Sequence, residues 1–422
     1  MNRRNTLKLL AAALGCAPVT LLANGMRLLS QDGFATARGE AFVATADNPS
    51  AIYYNPAGIT QLEGAHLRAG IYGIYLDPTY RPPPGAPNSG NTYQIENKLA
   101  AVPQSFYTYT PKDLPVSVGL GIYSPFGLGL RWPQDTGFRS VATKGRLTYI
   151  TLNPVVAWEP APGLSIAGGV MVNYVNMNLE QGLLRTESPF ANFFRFKGDG
   201  WSVGYNLGVL WKPHEKVAIG AALRAPATVT IDGETEFEQQ PIIPPTERSA
   251  QADFKFPLGV VAGISYRPAP EWNLEIDAEY THWSSFKTIT IHQSSPPPFP
   301  VQQDIPFILN WKGSWLYEFG VTRYLENGWH VSAGYVFNEN SVPDAYYTPL
   351  VADLDRHFFS VGAGVKGNRF DFDMAYQFGY GPTRTVTGST PSSQPAQFSG
   401  QTADGKYGFI SHAVLLTVGM HF

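Results

Sequence analysis

The chain has 422 residues, of which 15% are charged and 13% aromatic, and its formal net charge is -3. Charged content is well below the roughly 25% usual for soluble domains. A near-neutral balance gives no basic surface for nucleic acid.

Residues 1–23 read as a signal peptide. Arg3, Arg4 and Lys8 precede an apolar run from Leu9 to Ala23, broken by Pro18 and too short to be a spanning helix. Cys16 is the only cysteine. Once the leader is removed, thiol catalysis, disulfides and cysteine metal sites are excluded. No later run approaches the roughly 18 apolar residues of a membrane helix.

Residues 24–62 form a second unit, expected to be a compact plug. The stretch "DNPSAIYYNPAGITQLEG" carries two Asn-Pro steps, Asn48-Pro49 and Asn55-Pro56, around Ile52, Tyr53 and Tyr54. A residue before proline avoids the helical region, so turn and extended backbone are expected here.

From residue 63 to 422 the periodicity is two. Phe370, Phe372, Met374, Tyr376 and Phe378 alternate with Asp371, Asp373, Ala375, Gln377 and Gly379. Trp272, Leu274, Ile276, Ala278 and Tyr280 alternate with Asn273, Glu275, Asp277, Glu279 and Thr281. Strands put successive side chains on opposite faces. Short turns, such as "EPAPG" and "KPHEK", alternate with longer loops near 78–97, 126–143, 181–198, 232–250, 291–309, 341–355 and 380–405. That is an up-and-down meander with one trimmed rim, of about 14 strands. The last strand, "SHAVLLTVGMHF", ends in an aromatic residue, a familiar outer-membrane assembly signal. A barrel this wide cannot fill its interior with wall side chains alone. The fold class is therefore all-β: a transmembrane antiparallel β-barrel whose apolar face meets lipid, with the N-terminal plug in its lumen.

With these pieces in view, the chain resembles the FadL-type outer-membrane transporters of long-chain fatty acids, a family that includes aromatic-hydrocarbon uptake proteins. The likeness rests on "NPAG" at Asn55, "YSPFGL" at Tyr123, "YTHWSSF" at Tyr280 and "GYVFNENSVPDAYYTPLVADLDRHFFSVGAGV" at Gly334. It implies capture of a hydrophobic ligand between external loops, transfer to a pocket against the plug, and sideways exit through a gap made by a kinked third strand. It also implies that Asn55, Pro56 and Ala57 form the plug element beside that gap. Gly119 and Gly121 are candidates for the kink, because glycine tolerates strand distortion. Phe190, Phe193, Phe194 and Phe196, with Ile242 and Ile243, are candidates for a capture groove. The inward acidic face needs bases, and Arg146, Arg224, Lys312 and Arg323 are candidates to meet a ligand head group.

Enzyme chemistry is not expected. Ser411 and His412 are adjacent, so on a strand they face opposite ways and cannot act as nucleophile and base. "DLDRH" at Asp353 could hold a cation but reads as an external ion-pair cluster. No metal or cofactor is expected. The expected partners are a hydrophobic small molecule, outer-membrane lipid and lipopolysaccharide, and the outer-membrane assembly machinery, with a monomeric chain. The alternatives are an aromatic-hydrocarbon channel of the same fold and a general porin for polar solutes.

Overall fold

The computed structural model describes residues 25–422 apart from 87, 187–189 and 296–301, so the expected signal peptide lies outside the described residues. Fourteen antiparallel strands close into a barrel. The first strand, Gly64–Leu76, pairs with the second, Leu99–Thr110, and with the last, Gly405–His421. The third strand comes in two pieces, Val116–Tyr123 and Gly127–Arg131. The fourth, fifth and sixth are Lys144–Ala161, Leu164–Gly182 and Asn192–His214. The next four are interrupted: Val217–Arg224 with Ala227–Gln239, Ile243–Phe256 with Gly259–Tyr266, Trp272–Thr281 with Thr288–Gln293, and Asp304–Ile308 with Ser314–Tyr324. Trp329–Asn338, Arg356–Lys366 and Phe370–Val386 complete the wall.

The alternation read from the sequence sets the two faces. On the sixth strand Trp201, Val203, Tyr205, Leu207, Val209 and Trp211 are all exposed on the outer face. Ten steps of about 3.3 Å, tilted by about 40°, rise about 25 Å, the height of an outer-membrane hydrocarbon band. The two tryptophans therefore mark its edges. Trp158, Trp272 and Trp329 are exposed near the short-turn end of their strands. Towards the loop end of its strand, the Tyr335 hydroxyl bonds His357 at 2.7 Å. Such amphipathic rings suit a membrane interface. Ser411 is buried and His412 exposed, as their adjacency on one strand requires.

Two expected loops are shorter than the sequence suggests. Half of 181–198 and most of 232–250 is strand, running to Gly182, from Asn192, to Gln239 and from Ile243. These strands continue past the girdle, where their outer face turns polar: Arg195 bridges Glu180 at 2.7 Å and Glu236 at 2.9 Å. The inward face stays apolar, with Ala250, Ala252, Phe254 and Phe256 buried.

Residues 25–62 pack inside the barrel. The Asn-Pro steps start short helices rather than extended chain. Asn48 Oδ1 accepts from Ser50 N at 2.8 Å just before Ala51–Tyr54. Asn55 itself is extended, and its Oδ1 accepts from Ala57 N at 3.2 Å at the head of a 3-10 turn, Pro56–Gln61. Proline suits that first position, where its missing N–H has no partner to lose.

Candidate functional site

An irregular segment in a lumen has backbone N–H groups that no ladder satisfies, and each left unpaired would be costly. The inward acids of the ninth strand answer this need. Phe42 and Val43 N–H groups donate to Asp277 at 2.8 and 2.9 Å. Ala44 N–H donates to Glu275 at 2.7 Å, and Thr45 donates to it through both N–H and hydroxyl. Arg38, fully buried, donates to Glu275 and Asn273 at 3.1 Å. On the opposite side Arg68 joins Asp32 of the segment to Asp373, which also pairs with His330 at 2.7 Å. The acidic face is therefore a buried set of acceptors and ion-pair partners for residues 25–62.

The third strand breaks at Ser124–Phe126, after Gly119 and Gly121 rather than at them. Those glycines pair regularly on both sides, with Thr108 and Phe106 and with Val155 and Asn153. They make room instead: a β-carbon at Gly119 or Gly121 would lie 2.8 or 2.9 Å from Ile52. Pro125 has no N–H, so a ladder bond is lost where it stands. The bend is held by the inner segment, with Leu28 N–H donating to Pro125 O and Gly127 N–H to Met26 O at 2.9 and 2.8 Å. The second strand pairs with the third only through Ser105–Tyr109. The outer piece of the third pairs with the fourth. The wall thus has a break in its ladder beside residues 99–104, closed above where Glu96 N–H donates to Arg131 O at 2.8 Å.

Two cavities flank this break, one lined by Leu128 and the other by Pro125 and Phe126. The upper one holds about 910 Å³ of free space, partly open to solvent, among Met26, Leu147, Phe254, Phe286, Trp311 and Leu350. No charged side chain lines it among the described residues. Its roof is the segment 339–355, bolted by Arg384, which donates to Val342 O at 2.6 Å, Asp344 at 2.5 Å and Asp353 O at 2.9 Å. Asp353 and Asp355 of "DLDRH" accept from Ser341 and Asn340 at 2.7 and 2.8 Å, so these acids fasten the same loop. The lower cavity, about 450 Å³, is lined by Arg27, Phe126, Tyr149, Arg224 and Phe256. A polar space of about 1050 Å³ opens at the short-turn rim under Thr45 and Gln61, away from both.

Of the four candidate bases, only Arg224 reaches an interior cavity. Its Nη2 donates to Tyr53 O at 2.9 Å, and its guanidinium stacks 4.4 Å from the Tyr53 ring. Nη1 lies 3.5 Å from Glu279, and neither Nε nor Nη1 has a hydrogen bond to a described residue. Arg323 is exposed on the outer face beside Trp272, and Lys312 is exposed between strands. Arg146 lies on the outward face of the fourth strand, in register with exposed Leu152 and Val156. Arg27 was not apparent in the sequence, where it is a lone base in "GMRLLSQ". It grips Glu279 through both guanidinium nitrogens and donates to Tyr53 Oη at 3.2 Å. The capture residues do not gather at the upper cavity. Phe194 and Phe196 are buried inward-facing strand residues, and Phe193 lies under Arg195 at 4.6 Å. Phe190 and Ile242 are exposed, and the side chain of Ile243 lies outside the described residues. Asn55, Pro56 and Ala57 sit on the sixth strand, not at the break. Asn55 Nδ2 donates to Val43 O at 2.8 Å and Val209 O at 2.9 Å.

A family model described as outer membrane protein transport protein (OMPP1/FadL/TodX) matches residues 16–422. The chain belongs to that family. The long-chain fatty acid transport protein of Escherichia coli is 21% identical over 90% of this chain and 89% of its own. A Pseudomonas aeruginosa FadL homologue superposes with a TM-score of 0.80 at 18% identity, covering 94% of this chain and 100% of its own. The Pseudomonas putida toluene transporter TodX gives 0.71 at 13% identity, with the same coverage. At such identities the superpositions establish the fold. As a member of this family the chain is an integral outer-membrane transport protein for hydrophobic molecules.

Proposed function

We propose that hydrophobic cargo enters the upper cavity, descends past Met26 and Arg27, and leaves sideways into the membrane through the break beside Phe126, while residues 25–62 act as a hatch across the axial route. The observation that carries this reading is that two consecutive residues join all three places. Met26 lines the upper cavity and bonds the bend, and Arg27 lines the lower cavity. Downhill movement of this kind needs no nucleotide or cofactor.

The cargo we propose is a long-chain fatty acid, its tail in the upper cavity and its carboxylate on Arg224. Arg27 is already neutralised by Glu279, whereas Arg224 keeps two buried N–H groups without hydrogen bonds. A charge-assisted hydrogen bond contributes about 1.5–3 kcal/mol, or roughly ten- to a hundredfold in affinity. The wild-type protein should therefore bind dodecanoate at least tenfold more tightly than dodecane, and Arg224→Met should remove most of that preference. Equal binding of acid and alkane to the wild type would overturn the carboxylate assignment. It would favour the aromatic-hydrocarbon alternative, which the uncharged lining of the upper cavity supports. Rapid sugar permeation in liposome swelling would instead point to a porin.

The hatch reading has a pH signature. Glu40 is buried in the segment, accepting from Ser30 Oγ at 2.8 Å and Tyr54 Oη at 2.7 Å. Burial pushes its carboxyl up from 4.5 to about 7, only partly opposed by those bonds. An acid whose pKa is higher when docked than when solvated favours docking most at low pH, and that contribution is lost as pH rises from 4.5 through about 7. Ion leak through single barrels should grow between about pH 5 and pH 8, and Glu40→Gln should flatten the rise. A leak equally pH-dependent in both proteins would remove Glu40 from the cause.

A further inference from the structure

The upper cavity is apolar but not featureless. Three of its lining residues carry polar groups that are buried and bond to no other described residue: Trp311 Nε1, Tyr347 Oη and Ser393 Oγ. All three residues are at most 4% exposed. Three other hydroxyls of the same lining each have a partner. Thr348 Oγ1 accepts from Leu350 N at 3.3 Å, Thr390 Oγ1 donates to Ala345 O at 3.0 Å, and Ser392 Oγ accepts from Ile308 N at 3.1 Å. A buried N–H or O–H without a partner is costly, and native interiors rarely retain one. Three on residues that line one cavity, drawn from separate parts of the chain, call for an acceptor that enters with the cargo.

We infer that the upper cavity is a subsite for uncharged, oxygen-bearing hydrophobes, such as alcohols and ketones, whose oxygen accepts from Trp311, Tyr347 and Ser393. This inference rests on the transport reading above and adds a cargo class that does not need Arg224. Trp311 can only donate, and the tyrosine and serine hydroxyls can rotate to donate, so the trio suits an acceptor oxygen. The phenol of Tyr347 stays protonated, because burial raises its pKa further above a tyrosine's ordinary value. Among the described residues the cavity lining has no cation to attract a carboxylate and no anion to repel an oxygen lone pair. A hydrocarbon would fill the same space but leave all three donors unpaired, and sites built to bond a polar atom reject analogues that lack it.

The test is equilibrium binding of radiolabelled dodecanol, dodecane and dodecanoate to the purified, folded barrel. Wild type should prefer dodecanol over dodecane by about tenfold, since each neutral hydrogen bond contributes about two- to tenfold. Trp311→Phe/Tyr347→Phe/Ser393→Ala together should abolish that preference while leaving the acid preference of Arg224 in place. Arg224→Met should do the reverse. Should the triple variant fail to fold, Tyr347→Phe alone, which deletes one oxygen, should lower the dodecanol preference by about twofold or more. Equal binding of alcohol and alkane to wild type, or an alcohol preference that survives the variants, overturns the inference and leaves the transport reading standing. If none of the three compounds binds, both readings fall.

Discussion

Replacing Glu275 by alanine should free the inner segment from the wall while the barrel still forms. One carboxylate there accepts from Arg38, from Ala44 N–H and from both donors of Thr45. Arg38 is fully buried, and its Nε and Nη1 already lack partners. Without Glu275 it would be a buried cation left, among the described residues, with one hydrogen bond to Asn273 and the Phe34 ring. Breaking one side of a buried ion pair costs about 3–5 kcal/mol. The barrel closes its own ladder between the first and last strands, so that loss falls on docking rather than on assembly. Planar-bilayer recording of Glu275→Ala should show raised conductance, and heat-modifiable migration should remain that of a folded barrel. Glu275→Gln keeps an acceptor without the charge and should give an intermediate leak. Wild-type conductance in Glu275→Ala would mean that the segment is held by its remaining bonds, to Asp277 and Arg68, and does not hinge on this carboxylate.

The half of the wall that meets lipid is legible in the chain because lipid tolerates only apolar groups there. Phe370 to Phe378 could alternate in no other way and remain a spanning strand. The interior is harder to read, because its acids serve partners far away in sequence. Glu275 and Ala44 are bonded across 231 positions, and nothing local distinguishes an acid that will hold a backbone N–H from one that will face water. The bend was misplaced for a related reason. Glycine marks where a strand can distort, but Gly119 and Gly121 are small so that Ile52 can approach. The bend follows Pro125, which cannot donate, and it depends on Met26 and Leu28 arriving to satisfy its neighbours. The polar runs 181–198 and 232–250 resemble loops because, beyond the girdle, only the inward face must be apolar. The alternation of Ala250, Ala252, Phe254 and Phe256 was there to be read on that face alone. Arg224 could be named from sequence as one base among four. Its selection required knowing which parity faces inward, and the pairing of Arg27 with Glu279 required the fold.

Arginine at Leu207 should be the most damaging single change to the wall. Leu207 is exposed on the outer face of the sixth strand, midway between the tryptophans at 201 and 211 that mark the edges of the hydrocarbon band. A cation at that depth costs about 2–4 kcal/mol, falling towards zero near the interfaces. Gln251 tests the depth dependence. It lies on the outer face of the eighth strand beyond the girdle, and its amide donates to Asp232 at 2.7 Å, so an arginine there meets water and an acid. Gln251→Arg should change stability by less than about 0.5 kcal/mol. Gly208 tests the facing. It is the next residue after Leu207 but points inward, where a β-carbon would come 2.8 Å from Pro56. Gly208→Arg should therefore displace the inner segment and raise conductance, through collision rather than contact with lipid. Urea-dependent folding into lipid vesicles, with conductance recorded on the same three proteins, separates these environments. Comparable losses for Leu207→Arg and Gln251→Arg would show that the girdle does not bound the membrane where Trp201 and Trp211 place it.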